Sequence, residues 1–295
     1  MGILKSISNI LRCPDDGGSL SLHADRMECS DCLREFAREG DFISLVSKEP
    51  ASFDGLSAYH RSYLAARRED AAATPGWSIS GSNLRPALEY KQRQVVRVGG
   101  LLSEGGSRRD VLCDFSAGPG YYTLQYARTW ETVIHCDLSL DSLRHAQNHA
   151  RKEGLNNIAF VHMDYLRPPF RGTLPSIVCM DTLIRGPEHE RALLQAILES
   201  LEPRGVAVVD FHNWWHNPLR RLGLLPDNFV NNRSYSRREL DRMLSKAGIS
   251  GCECFPFRQE EPLTRSLLSL VAQGLPPTRW LYRFRHATKT NTRIA

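Results

Sequence analysis

The chain of 295 residues is 41% apolar and 24% charged and carries a formal net charge of +5. That is the make-up of an ordinary water-soluble protein with room for one large domain and one small one, and the positive excess is too mild to require a nucleic-acid partner. No apolar run approaches eighteen residues, and the start, Met1 to Ser8, has no long apolar core or cleavage site, so neither a membrane span nor export is expected and the cytoplasm is the predicted location. The eight cysteines agree with a reducing compartment. Cys113, Cys136 and Cys179 fall in predicted buried strands, where thiols pack as small hydrophobes, and Cys252 and Cys254 lie two apart on one face of a late strand.

Residues 1–48 form the first predicted unit. Ile7 to Leu11 run into Cys13-Pro-Asp-Asp16-Gly-Gly18, and Cys29-Ser-Asp-Cys32 repeats the spacing before a strand-like Asp41 to Val46. Two tight knuckles, each presenting two ligands three residues apart, are how a pair of hairpins surrounds a zinc ion. The second knuckle is complete. The first offers Asp16 where a thiolate is expected, and carboxylate is a permitted though less favoured zinc ligand. Cys13, Asp16, Cys29 and Cys32 are therefore the candidate metal set; the alternative is a ribbon that keeps its small core and has lost its metal. So short a unit is expected to pack on the next domain of the chain.

Residues 49–105 are predicted to connect. The stretch 62–73 is helix-prone, and Thr74 to Asn83 is a loop by composition. Residues 84–102 read as a helix with Leu88, Gln92, Val95, Val96 and Gly99 on one face. Tyr59, Tyr63 and Trp77 are candidates for a lid, with buried aromatic packing between units as the alternative.

From residue 106 onward the pattern alternates: strand 111–115, helix 121–129, strand 132–137, helix 139–153, strands 158–162 and 176–181, helix 188–201, strand 205–211. Ser236 and Glu239 make a capping box for a helix ending at Gly248, then comes strand 251–257, 263–273 is an amphipathic helix, and 279–285 is a last, antiparallel strand. This order predicts a doubly wound, mostly parallel α/β sheet of seven strands. The first strand ends in Asp114 and the loop Ser116-Ala-Gly118-Pro-Gly120, which bares the main chain where such sheets bind ligands. Asp137 ends the second strand nineteen positions after Gly118, where an acid accepts ribose hydroxyls. A dinucleotide loop wants a third small residue where Thr123 stands, and no Lys-Ser/Thr pair serves a triphosphate, so a nucleoside without phosphates is favoured.

Asp114 to Gly120 resembles the first motif of the class I S-adenosylmethionine-dependent methyltransferases, and Asp137 is similar to their ribose-binding acid. Phe160 to Tyr165, Ser176 to Leu183 and Leu198 to Val209 resemble their third and fourth motifs and the turn into their fifth strand. Ser116 and Arg204 depart from the glycines usual there. The resemblance covers roughly residues 106–258, and the first 48 residues resemble the zinc ribbon fused to some bacterial members. It implies a Rossmann-like methyltransferase domain over 106–295, a zinc-ribbon-like unit over 1–48 and a helical linker or lid over 49–105. It implies S-adenosylmethionine as cofactor, with zinc as the ribbon's ion. Asp114, Ser116, Gly118 and Gly120 would face the methionine portion. Asp137 would take the ribose, with Leu138 on the adenine face, and Asp164 and Tyr165 would flank the adenine edge. Asp181 would floor the reacting end.

Methyl transfer asks the protein mainly to align a nucleophile and exclude water, with a base needed only where the acceptor holds its proton. Asp210 to Pro218 supplies His212 and His216 beside Trp214 and Trp215, which suits an aromatic or polyol acceptor. With Asp181 these are the catalytic candidates; a packed, hydrogen-bonded role is the alternative for each histidine. His189 reads as a surface residue. The segment Met180 to Arg185 lacks the Asn-Pro-Pro-Tyr the family uses on amide and base nitrogens, so a small-molecule oxygen acceptor is expected. The first alternative is an RNA methyltransferase using the ribbon and a basic tail of Arg279, Arg283, Arg285, Lys289 and Arg293, with Trp280, Tyr282 and Phe284 stacking on bases. The second is a non-catalytic partner that keeps the fold.

Overall fold

The computed structural model describes residues 2–48, 84–183, 186–213, 234–257, 277 and 279–286. Eleven strands form one sheet: β1 (Leu20–Leu22), β2 (Arg26–Cys29), β3 (Glu35–Glu39), β4 (Phe42–Ser44), β5 (Val111–Phe115), β6 (Thr132–Asp137), β7 (Ile158–His162), β8 (Leu174–Leu183), β9 (Leu201–His212), β10 (Glu253–Phe257) and β11 (Arg279–Arg285). Their order across the sheet is β1-β2-β3-β4-β7-β6-β5-β8-β9-β11-β10. The helices are α1 (Ile3–Ser6), α2 (Leu84–Glu104), α3 (Tyr121–Tyr126), α4 (Leu140–Lys152), α5 (Pro187–Ser200) and α6 (Arg237–Lys246).

β7, β6, β5, β8 and β9 run parallel, and the chain reverses its winding between β5 and β8. A switch point of this kind is where open α/β sheets take their ligands, outside the carboxyl ends of the strands. The two faces bury alternate residues, as the pleat requires. Cys113, Phe115, Ile134, Cys136, Ile177, Cys179 and Val209 pack on one side with Leu193, Ile197, Leu240 and Leu244 from α5 and α6. Leu112, Val133, Val178 and Val208 pack on the other with Val98 and Leu101 of α2 and Leu143 and Ala146 of α4. All eight cysteines are unbridged thiols.

The predicted strands 111–115, 132–137 and 158–162 have those bounds. β8 and β9 run longer than predicted because their pairing extends from Leu174↔Leu201 to Leu183↔Phe211, with irregularities near both ends. The face of α2 differs from the expected one. Tyr90, Gln94, Val98, Leu101 and Leu102 are buried, whereas Gln92 is exposed and Val96 is 75% exposed. The packing surface is two helical positions round from the predicted stripe, and it includes a glutamine and a tyrosine that hydropathy alone discounts.

β11 is not an edge strand. It lies between β9 and β10 and is antiparallel to both. The first 48 residues join the same sheet: β1 to β4 form an antiparallel meander, and β4 pairs parallel with β7 through Phe42↔Phe160, Ile43↔Val161 and Ser44↔His162. Leu4, Ile7, Leu11, Met27 and Phe36 belong to the same apolar core as β5 and β6. Helix starts are capped locally. Ser139 Oγ accepts from Ser142 N at 3.2 Å, and the Ser236–Glu239 capping box is complete.

Candidate functional site

The glycine loop and the acid of β6 meet. Asp137 Oδ2 accepts from Gly118 N at 2.7 Å, and its Oδ1 accepts from Ser139 N at 2.7 Å. Ser116 takes a left-handed backbone, φ +57°, a conformation that costs a residue with a Cβ roughly 1 kcal/mol. The two glycines differ in purpose. A Cβ on Gly118 would meet nothing within 4 Å, so this residue borders open space. A Cβ on Gly120 would lie 2.7 Å from Ala146 Cβ, so its bareness lets the loop close on α4 rather than on a ligand.

Asp114 is buried under that loop. Its carboxylate accepts from Thr123 Oγ1 at 2.6 Å, and Thr123 Oγ1 also lies 2.7 Å from His135 Nδ1. Burial pushes the Asp114 carboxyl up to about 7, and burial pushes His135 down to about 3. Leu138 is half-buried, and its carbonyl accepts from His162 Nε2 at 3.0 Å. Asp164 starts a turn: its Oδ1 accepts from Leu166 N at 2.9 Å and its carbonyl accepts from Arg167 N. The Tyr165 side chain points inward to His189, 2.8 Å from OH to Nε2. His189, expected at the surface, is 4% exposed because this bond and Glu190 hold it at the start of α5.

A second cluster surrounds Asp181. Its backbone is left-handed, φ +59°, where the β8–β9 register shifts, and this turns the side chain toward α2. Lys91 Nζ donates to Asp181 Oδ2 at 3.2 Å, and the Tyr122 hydroxyl lies 3.1 Å from that oxygen and 2.7 Å from Gln94 Oε1. Arg279 Nη1 pairs with Asp181 Oδ1 at 2.5 Å and with Asp210, whose Oδ1 accepts from Asp181 N. His212 Nε2 is 3.9 Å from Asp181 Oδ1. Burial opposes the charge on Asp181, but Arg279 and Lys91 outweigh it and hold this carboxyl well below the usual range. For Asp210 burial wins and the carboxyl is raised.

Asp181 and His212 are thus brought together, while His216 lies outside the described residues, as do Trp214, Trp215 and the lid candidates Tyr59, Tyr63 and Trp77. Sequence reasoning missed Lys91, Gln94, Tyr122 and the place of Arg279 beside Asp181. None lay inside a motif, though Tyr122 follows the glycine loop by two residues. Arg279 and Arg283, part of the basic tail in the RNA-binding alternative, are internal. Both are 7% exposed, and Arg283 pairs with Glu253 at 2.6 Å and donates to Leu101 O. Tyr282 and Phe284 are core residues, unavailable for stacking on bases.

The four knuckle residues converge as well. One ligand atom from each of Cys13, Asp16, Cys29 and Cys32 lies within 4.8 Å of the others. Cys13 Sγ and Cys32 Sγ are 3.7 Å apart, and Cys29 Sγ is 3.4 Å from Asp16 Oδ1. Tetrahedral zinc with bonds near 2.3 Å to sulfur and 2.0 Å to oxygen has S···S edges of about 3.8 Å and S···O edges of about 3.5 Å. The donor set therefore fits such an ion. Both loops turn alike: Gly17 N donates to Cys13 O and Leu33 N to Cys29 O, with Gly17 and Leu33 both at positive φ.

Residues 112–205 match the family model described as a methyltransferase domain. No curated protein matches the chain. Among solved structures, magnesium protoporphyrin IX methyltransferase from Synechocystis PCC 6803, with bound SAH, aligns with a TM-score of 0.54 at 16% identity, covering 79% of this chain and 98% of that one. Geranyl diphosphate C-methyltransferase from Streptomyces coelicolor aligns at 0.52 and 14% identity, covering 71% and 86%. A DhpI–SAM–HEP complex aligns at 0.52 and 17%, covering 79% and 99%. At these identities the likeness is one of fold. The fold is the one these methyltransferase structures share.

Proposed function

We propose that this chain is an S-adenosylmethionine-dependent methyltransferase acting on a small molecule, with oxygen as the acceptor atom. The observation that carries the cofactor half is the meeting of Gly118 and Asp137: a bare main chain bordering open space, beside a carboxylate already oriented by two amides. When bound, the cofactor supplies a methyl group activated by its sulfonium. Asp137 accepts the ribose hydroxyls, Gly118 lets the methionine portion lie on the backbone, and Leu138 packs on the adenine, with Asp164 and Tyr165 shaping its edge. Asp114 and Ser116 brace the loop from beneath and before it.

The acceptor half rests on Asp181 and His212. His212 takes the acceptor's proton, and Asp181, kept ionised by Arg279 and Lys91, orients the imidazole and steadies its positive charge. His216 is the alternative base. Lys91 and Tyr122 wall the same side. The four knuckle residues hold a zinc ion that cross-links the two turns.

Incubating the protein with methyl-labelled cofactor and separated cell fractions tests this reading. Label is expected in the small-molecule fraction as an O-methyl product, with His212→Ala lowering kcat by roughly 10²–10⁴-fold. Label confined to RNA, or no cofactor binding, contradicts it.

A further inference from the structure

His162 ends β7, where it is the registered partner of both Ser44 on β4 and Asp137 on β6, and its side chain adds a bond toward each of these neighbours. Its Nδ1 lies 2.8 Å from Ser44 Oγ, and its Nε2 lies 3.0 Å from Leu138 O. A carbonyl only accepts, so Nε2 carries the proton and Nδ1 accepts from the Ser44 hydroxyl. Burial outweighs the Leu138 bond and holds the imidazole below its ordinary range, so this neutral tautomer persists at neutral pH. Leu138 directly follows the ribose acid, and the same turn is held by Met163 N donating to Asp137 O at 3.0 Å.

Ser44 in turn ends β4, and the chain just beyond it is gripped by both knuckles. Asp15, between Cys13 and Asp16, accepts from Ser47 Oγ at 2.8 Å and from Lys48 N at 2.9 Å. Arg34, two residues after Cys32, donates to Val46 O at 3.0 Å and pairs with Asp15 at 2.5 Å. β4 meets β7 through three registered pairs and through Phe160 N donating to Asp41 O and Leu45 N to His162 O, and the outer bonds extend that seat to the knuckles. A route therefore runs from the two knuckles through the bonds of Asp15 and Arg34 to residues 46–48, back along the main chain to Ser44, and through His162 to the Asp137–Leu138 turn.

We propose that His162 is a positioning residue that fastens the cofactor's ribose-binding turn to β4, so that a divalent cation held by Cys13, Asp16, Cys29 and Cys32 tightens nucleoside binding at the neighbouring site. The proposal rests on the cofactor reading above. A turn already held in its bound geometry binds more tightly because less ordering remains to be done on binding. His162 touches no ligand; it acts through Leu138.

Calorimetric titration of S-adenosylhomocysteine into the full chain tests this, using zinc-loaded protein, chelator-treated protein and the variants Ser44→Ala, Ser44→Thr and His162→Phe. Losing one internal hydrogen bond should raise Kd about five- to tenfold in Ser44→Ala and His162→Phe. Ser44→Thr keeps the hydroxyl and should keep the affinity. Zinc removal should weaken wild type by a similar factor but add less in His162→Phe, because the side-chain part of the link is already lost while the backbone pairing stays. If His162→Phe does not fold, Ser44→Ala against Ser44→Thr decides. Wild type that binds with every Kd within about twofold overturns the proposal and leaves the cofactor reading standing. Wild type that binds no ligand overturns the cofactor reading instead. Protein that neither contains zinc nor takes it up overturns the metal half.

Discussion

Thr123 stands where a dinucleotide-binding loop would place its third small residue, and its hydroxyl joins two buried titratable groups, Asp114 and His135. The two respond to pH in opposite directions. Asp114 has a folded pKa raised to about 7 by burial, so between its unfolded value near 4 and 7 the folded state holds an extra proton and stability falls as pH rises. His135 has a folded pKa lowered to about 3, so between 3 and its unfolded value near 6.5 the unfolded state holds the extra proton and stability rises with pH. In wild type these slopes oppose each other from about pH 4 to 6.5. Asp114→Asn removes one of them. Its unfolding free energy should climb across that window more steeply than wild type's, by on the order of 1 kcal/mol per pH unit. Urea denaturation curves at several pH values measure this, and parallel profiles for the two proteins would falsify the account of the pair.

Among the elements, the turn from β5 into α3 depends on one backbone position. Gly120 has φ +91° and no space for a Cβ against Ala146 of α4. Gly120→Ala must either twist the loop or push α4 away, so we expect a loss of about 1–3 kcal/mol in stability and a weaker cofactor site. Gly118→Ala meets no steric block and should cost less stability; equal losses in thermal unfolding would contradict the division of labour. The strands around this turn were legible because a buried parallel sheet leaves short apolar runs, and Asp114, Gly118 and Asp137 mark their ends. The α2 face was not legible. Tyr90, Lys91 and Gln94 sit outside any local motif, and their partners are distant in sequence: Phe257 for Tyr90, Asp181 for Lys91 and Tyr122 for Gln94. Arg279 misled for a related reason. Alternating arginines and aromatics look like an exposed surface until Asp181, Asp210 and Glu253 are seen to neutralise them inside the sheet.

At the scale of the whole molecule, one sheet carries both the metal-type knuckles and the proposed nucleoside site. The sequence separated these functions at about residue 48, because Cys-x-x-Cys spacing and strand–helix alternation are different local signals. Neither reveals that β4 pairs with β7, which is a contact between segments more than a hundred residues apart. Likewise the place of Asp137 after β6 raises the expectation of a ribose-binding acid, while its clasp on Gly118 N needs the fold. The central claim is that this clasp forms the floor of an S-adenosylmethionine site. Titration calorimetry of S-adenosylmethionine into wild type and Asp137→Asn tests it most directly. Wild type should bind one cofactor per chain, and the variant, left with one fewer charged acceptor at the ribose, should bind at least about tenfold more weakly. Because its amide oxygen can accept from only one of the Gly118 and Ser139 N–H groups, the variant should also unfold at a lower temperature, and both affinities are measured below that transition. Equal affinity in the two proteins, or no binding to wild type, would contradict it.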